Sequence, residues 1–135
     1  MAAMDVPAND LIVKVAGLLK TDQTIQPPTW AGSVKLSSHN ERVPEQKDFW
    51  YARCASLLRT LYVRGTPVGV QRLRHKYGGR TSHIVSRSHH RKGGGKNIRF
   101  MLQQLEKAGL VQKEKVGRTL TAKGRSLLDK ASNKT

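Results

Sequence analysis

Between Asp48 and Glu106 the chain has no carboxylate. That stretch runs for 57 residues, from Phe49 to Leu105, and carries twelve Lys or Arg and four His. Soluble surfaces ordinarily intersperse charges of both signs, which limits self-repulsion. One sign sustained over this length argues against an inert basic surface and for a polyanionic partner. Cysteine is nearly absent too. Cys54 stands alone, so no disulfide forms within the chain, and a single thiol fits a reducing cytoplasm. No run approaches the ~18 apolar residues of a membrane span. Asp5 and Asp10 precede any apolar block and no small-residue cleavage site follows, against a signal peptide. A basic amphipathic membrane binder would set its charges opposite a Leu-, Phe- and Trp-rich face. Here the densest charge falls in a Gly-rich, apolar-poor segment, so no membrane contact is expected.

What is present suits one compact domain spanning residues 1–135, with net charge +16 and 37% hydrophobic residues for an economical core. Residues 5–20 read as a first helix, capped by Asp5, with Pro7 in its first turn. Leu11, Ile12, Val15, Leu18 and Leu19 line one face. Residues 21–47 show no sustained period. Pro27, Pro28, Gly32 and Pro44 mark a long connection, with one short turn after Pro28 and with Trp30, Val34 and Leu36 as anchors.

Asp48 opens the longest helix, residues 48–64. Its stripes Trp50, Cys54, Leu57, Leu61 and Tyr51, Ala55, Leu58, Tyr62 together cover roughly 160° of the circumference, which predicts a central helix packed on two sides. Arg53, Ser56, Thr60 and Arg64 occupy the remaining polar face. Gly65-Thr66-Pro67 breaks the helix. Residues 67–77 form a short third helix with Val70, Leu73 and Tyr77 inward, ended by Gly78-Gly79. Residues 96–108 form a fourth, with Ile98, Met101, Leu102 and Leu105 on one side and Gly109 as its stop. Residues 110–116 and 118–121 read as short strands about Gly117. A last helix at 122–131 buries Leu127 and Leu128. This order predicts a mainly α chain: a winged-helix-like helical bundle around a central amphipathic helix, core about 48–131, with a short β-hairpin wing. That fold alone specifies no function, since winged helices bind DNA, RNA and protein.

The sequence offers no organised catalyst. Cys54 lies in an apolar stripe, which predicts a buried core thiol. His83, His89 and His90 lack the cysteines and carboxylates of a metal site. Gly93-Gly94-Gly95-Lys96 lacks the earlier glycine and the following Ser or Thr of a phosphate loop, Asn97 standing in that place. No enzyme activity, cofactor or metal is expected.

Helix-turn-helix units that read DNA join these helices by about 3–4 residues. Here residues 78–95 insert eighteen. Such a segment would obstruct entry into a regular groove, whereas its glycines and arginines suit irregular phosphates, favouring folded RNA. The candidate RNA-binding residues are Arg53, Arg59 and Arg64 on the central helix and Arg72, Arg74 and Lys76 on the third. Arg80, Arg87, His90, Arg91 and Lys92 follow in the insertion, then Lys96 and Arg99 on the fourth helix. Residues 80–95 hold little apolar area and are expected to order on binding. A winged-helix transcription regulator is the alternative, but it would normally pair as a dimer, and no dimerisation seam is evident. A pure protein scaffold leaves the carboxylate-free half unexplained.

Tyr51-Ala52-Arg53-Cys54-Ala55-Ser56, Arg59, Tyr62, Arg64, Val68-Gly69-Val70, Leu73 and Tyr77-Gly78-Gly79 resemble small-subunit ribosomal protein nineteen of archaea and eukaryotes. Arg99, Leu102-Gln103, Leu105-Glu106 and Gly117-Arg118 through Leu120-Thr121 continue the likeness, as do Asp5-Val6 and Trp30 with Val34-Lys35. The wording is closer to archaeal members. The resemblance implies a structural protein of the small subunit's head, bound to small-subunit rRNA, with neighbouring ribosomal proteins as further partners. It also implies support of subunit assembly and rRNA maturation, a monomer when free, and a cytoplasmic, ribosome-bound location. Arg53, Arg59 and Arg64 match basic positions of the family; Arg72, Lys96 and Arg99 match positions that are basic or polar there. Phe100 departs from the pattern, standing where many members carry Arg or Lys; its two readings are stacking on a base or another protein and, the one favoured, partial burial against the loop. Residues 80–88 match only loosely.

Overall fold

The computed structural model describes residues 3–31, 48–80 and 90–133. Helix α1 (Ala8–Leu19) and helix α2 (Phe49–Arg64) lie along one another. Around α2, Trp50, Cys54, Leu57 and Leu61 are buried on one side and Ala55, Leu58 and Tyr62 on the other, as a two-sided central helix requires. Tyr51 is half-buried. From α1 come Leu11, Val15, Ala16 and Leu19; Ile12 and Leu18 pack at the edge. This helix begins at Ala8, later than the start at residue 5 expected from an Asp5 cap. Asp5 belongs to a separate 3-10 turn (Ala3–Asp5), and Pro7 stands at the N-cap, where its carbonyl accepts from the Leu11 N–H at 3.1 Å. A proline loses nothing at a helix start, because the N–H it lacks would have no intrahelical partner. Asp48 precedes α2 without capping it; its carboxylate pairs with Lys20 at 2.6 Å.

Helix α3 (Val70–Lys76) is shorter than residues 67–77. The extended backbone of Val68 takes precedence: Val68 and Arg118 exchange N–H···O bonds at 3.0 Å in each direction. Two two-stranded antiparallel hairpins follow among the described residues. Strand β1 (Gly79–Arg80) pairs with β2 (His90–Arg91), Gly79 opposite Arg91. Helix α4 (Gly95–Lys107) leads to the wing, β3 (Val111–Lys113) against β4 (Arg118–Leu120). These strands are shorter than expected because residues 114–117 make the turn, with Glu114 N–H donating to Gly117 at 2.6 Å. Gly78 does not end α3 through a left-handed cap. It is needed where β2 crosses, since a Cβ there would sit 2.0 Å from the Arg91 carbonyl oxygen. Gly109 is the left-handed stop, at φ 84°. The N–H groups of Gly109 and Leu110 reach back to Glu106 and Leu105, both at 3.0 Å, the paired bonds of a Schellman cap.

Helix α5 (Ala122–Asn133) is capped by Thr121, whose Oγ1 accepts from Gly124 N–H at 3.2 Å. Leu128 is buried as expected, but Leu127 is only partly so, and Ala131 and Ser132 complete the contact. Tyr62 donates to Asp129 at 2.8 Å, tying α5 to α2. The expected turn after Pro28 is present, Ala31 N–H donating to Pro28 at 3.0 Å. Trp30 there meets Trp50 edge-on at 6.1 Å and Phe100 at 5.8 Å. Phe100 is thus partly buried among tryptophans. Val34 and Leu36 lie outside the described residues.

Candidate nucleic-acid interface

The polar arc of α2 faces α3, and what joins them is a small polar network. Tyr77 places its hydroxyl 2.6 Å from Ser56 Oγ and 3.5 Å from Thr60 Oγ1, which donates to the Ser56 carbonyl at 2.9 Å. Over the Tyr77 ring lies the Arg53 guanidinium, 4.3 Å from the centroid. Arg53 is therefore not a free surface cation, as its place on the polar arc predicts, but a half-buried one; desolvation lowers its pKa, with the tyrosine acting in the opposite direction. Tyr77, expected inward, packs partly buried against the core and also bridges the two helices through its ring and hydroxyl. Thr60, on the same polar arc, is buried.

Lys76 donates to Thr60 Oγ1 at 2.5 Å. Burial lowers its pKa first, and the neighbouring charges of Arg59 and Arg64 lower it further. Three cations thus crowd together near the C-terminal end of α2. Arg59 Nε is buried there with no hydrogen-bond partner.

Arg74 has a different task. Its Nε donates to the Gly93 carbonyl at 2.8 Å, while Gly93 N–H donates to the Arg74 carbonyl at 2.7 Å. Arg74 thereby tethers the chain after β2 to α3. His75 and His90 stack with centroids 4.4 Å apart, a second link between those elements. His75 was not foreseen in the sequence. Lys92 donates to Gln71 at 3.1 Å, and Lys96 lies over the Trp30 ring at 4.8 Å. Arg64, Arg72, Arg80, Arg91 and Arg99 are exposed. Arg87, His83 and His89 lie outside the described residues, as does all of 81–89. The rest of the expected insertion is less formless than its composition indicates, because Arg80 and His90 are partners in a strand pair.

The thiol of Cys54 is fully buried, and burial pushes its pKa up to about 12, which removes it as a nucleophile at neutral pH. Among the described residues no group of His, Cys, Asp or Glu is placed to hold a metal ion, and no helix is long and apolar enough to cross a membrane.

Comparison with known sequences adds a separate line of information. The family model for Ribosomal protein S19e matches residues 2–135. Small ribosomal subunit protein eS19 of Aeropyrum pernix is 47% identical over 129 residues, covering 94% of this chain and 84% of its own length. Its counterpart in Haloarcula marismortui is 46% identical over 130 residues, covering 93% and 84% respectively. That of Thermoplasma volcanium is 42% identical over 127 residues, covering 94% and 84%.

Proposed function

Because the chain belongs to the ribosomal protein S19e family, we propose that it is built into the head of the small ribosomal subunit by gripping small-subunit rRNA, and that it supports subunit assembly and rRNA maturation. Membership of this family makes it a structural ribosomal protein and not an enzyme. The observation that carries the rRNA reading is the carboxylate-free stretch 49–105, whose described cations lie on α2, α3, the β1–β2 hairpin with the residue after it, and α4. Cations spread over four elements suit an irregular folded polyanion better than one groove of duplex DNA. Arg59, Arg64, Arg72, Lys76, Arg80, His90, Arg91, Lys92, Lys96 and Arg99 are the described residues assigned to that grip; Arg87 is assigned to it from the sequence alone. Arg53 and Arg74 support it by holding Tyr77 and the β1–β2 hairpin. The whole of residues 1–135 acts as one ribosomal-protein domain, monomeric when free and ribosome-bound in the cytoplasm, beside neighbouring small-subunit proteins.

The test is co-sedimentation with small subunits through a moderate-salt wash, together with rRNA affinity as a function of salt. Each neutralised phosphate contributes a log–log slope of about 0.7–0.9, so ~6 contacts produce a steep loss of affinity with salt. A nearly flat plot would rule out the electrostatic grip. Retention on duplex DNA in preference to rRNA would revive the transcription-regulator reading.

A further inference from the structure

The arginine and lysine cluster at the end of α2 is frustrated in the free protein. Arg59 Nε is buried and donates to nothing. Buried donors are nearly always paired, so an orphan one in a folded protein calls for a missing acceptor. Lys76 is drawn against this group by its 2.5 Å bond to Thr60 Oγ1, and that bond uses only one of its three N–H donors. Thr60 is itself fixed, buried on α2 with its hydroxyl on the Ser56 carbonyl. Arg64 joins from the last turn of the same helix. The repulsion among the three appears in the lowered pKa of Lys76, to which Arg59 and Arg64 both contribute after burial. Holding like charges together is unfavourable unless an anion stands among them.

We propose that Arg59, Arg64 and Lys76, with Thr60 as the strut that positions Lys76, form a clamp for a single backbone phosphate of the small-subunit rRNA. This rests on the rRNA reading above and adds a located ligand group to it. A phosphate fits because guanidinium groups present forked donors that match its oxygens, while an ammonium adds a compact point charge. The side chain of an acidic peptide has similar chemistry. RNA is favoured because exposed cations continue along α3 to Arg72, one turn before Lys76, where repeated phosphates would meet them and an isolated carboxylate would not.

The test uses the full-length chain and small-subunit rRNA, with Lys76→Gln, Arg59→Gln, the double variant and Lys76→Arg. Each single variant should lower the log–log salt slope by about 0.7–0.9, one phosphate's worth. The double variant should lower it no further, because both side chains hold the same phosphate, and Lys76→Arg should restore it. The Lys76 ammonium, followed by nitrogen-detected NMR, should titrate at higher pH once rRNA is added. Thermal melts check that the variants fold; Lys76 is exposed, so Lys76→Gln remains readable even if Arg59→Gln does not fold. If the variants keep the wild-type slope while that slope stays steep, the clamp is wrong and the rRNA reading stands. If the double variant loses twice as much as either single one, the side chains serve separate phosphates and the one-phosphate clamp is likewise overturned. A polyglutamate that raises the Lys76 titration as strongly as rRNA at equal charge concentration would assign the site to a protein partner instead. A flat wild-type slope would remove both the clamp and the reading it rests on.

Discussion

The two hairpins share a topology and differ in how they are held. The wing, β3 with β4, closes over the core: Val111 is buried beneath it, Leu110 is buried beside it, and Arg118 is paired with Glu106. Its one cation turned toward the core, Arg118, is answered by an acid of the same chain. The β1–β2 hairpin has only Arg80, His90 and Arg91 exposed along its rungs. It is held from outside, by the Arg74–Gly93 bonds and the His75–His90 stack. One hairpin completes the fold, and the other displays cations on it. A stretch without carboxylates can still be ordered, provided that arginines bond to backbone carbonyls rather than to acids.

The largest effect should come from cutting the support under the wing. Leu105 is fully buried and its carbonyl receives the Leu110 N–H, so Leu105→Ala should cost about 2–5 kcal/mol in chemical denaturation. Next is Gly78→Ala. The added methyl would meet the Arg91 carbonyl oxygen at 2.0 Å, a backbone atom with little room to move. A strained fit of this kind costs about 1–3 kcal/mol, and amide exchange should show β1–β2 opening while α2 and the wing stay protected. If the wing opened as well, the two hairpins would not be independent.

A matched pair of arginines sharpens the contrast. Arg118→Met leaves Glu106 without its partly buried partner and should cost about 1–2 kcal/mol, as for other lost bonds to charged groups. Arg91→Met, at an exposed position, should change stability by no more than ~0.5 kcal/mol yet reduce the salt slope of rRNA binding. Equal stability losses would erase the distinction between them. Arg53→Ala falls between these: its contact with Tyr77 is worth about 0.5–1 kcal/mol, so a small drop in melting temperature is expected where the polar arc alone predicts none.

The smallest effect is on pH. The Lys76 pKa is lowered in the folded chain, so the unfolded chain binds more protons below the ordinary lysine value of 10.5. Its contribution to stability therefore improves as pH rises from neutrality towards that value, once the folded-state ammonium begins to lose its proton. Lys76→Gln should flatten this part of the stability–pH curve. A curve unchanged by the substitution would mean that neither burial nor the neighbouring arginine charges disfavour the Lys76 ammonium.

The helices were legible because their signals are local and redundant. The two apolar stripes of α2 specify its neighbours on both sides, and Gly109 with Leu110 marks the end of α4 unambiguously. What escaped the sequence depends on distant partners. Val68 is extended because Arg118, fifty residues on, pairs with it; Leu73 spacing alone would draw it into α3. The aromatic character of Tyr77 hid a hydroxyl that bonds to the polar arc of α2. Ser56 and Thr60, a helical turn apart on that arc, are the signal that could have revealed it. The basic residues were legible as a set, through the missing carboxylates. Their division into tethering and displayed cations was not, because no spacing rule distinguishes an arginine bound to Gly93 from one facing water.

Cys54 gives the molecule an internal clock. The chain's single thiol is sealed within α2, with its pKa pushed up to about 12, so an alkylating reagent must wait for the central helix to leave its seat. The rate of modification then counts openings of the helix without any added label. A ligand that binds only the closed form slows that count by the factor 1 + [L]/Kd. The same thiol that contributes nothing to chemistry thus times, from inside the core, how firmly a partner on the outer face holds the protein shut.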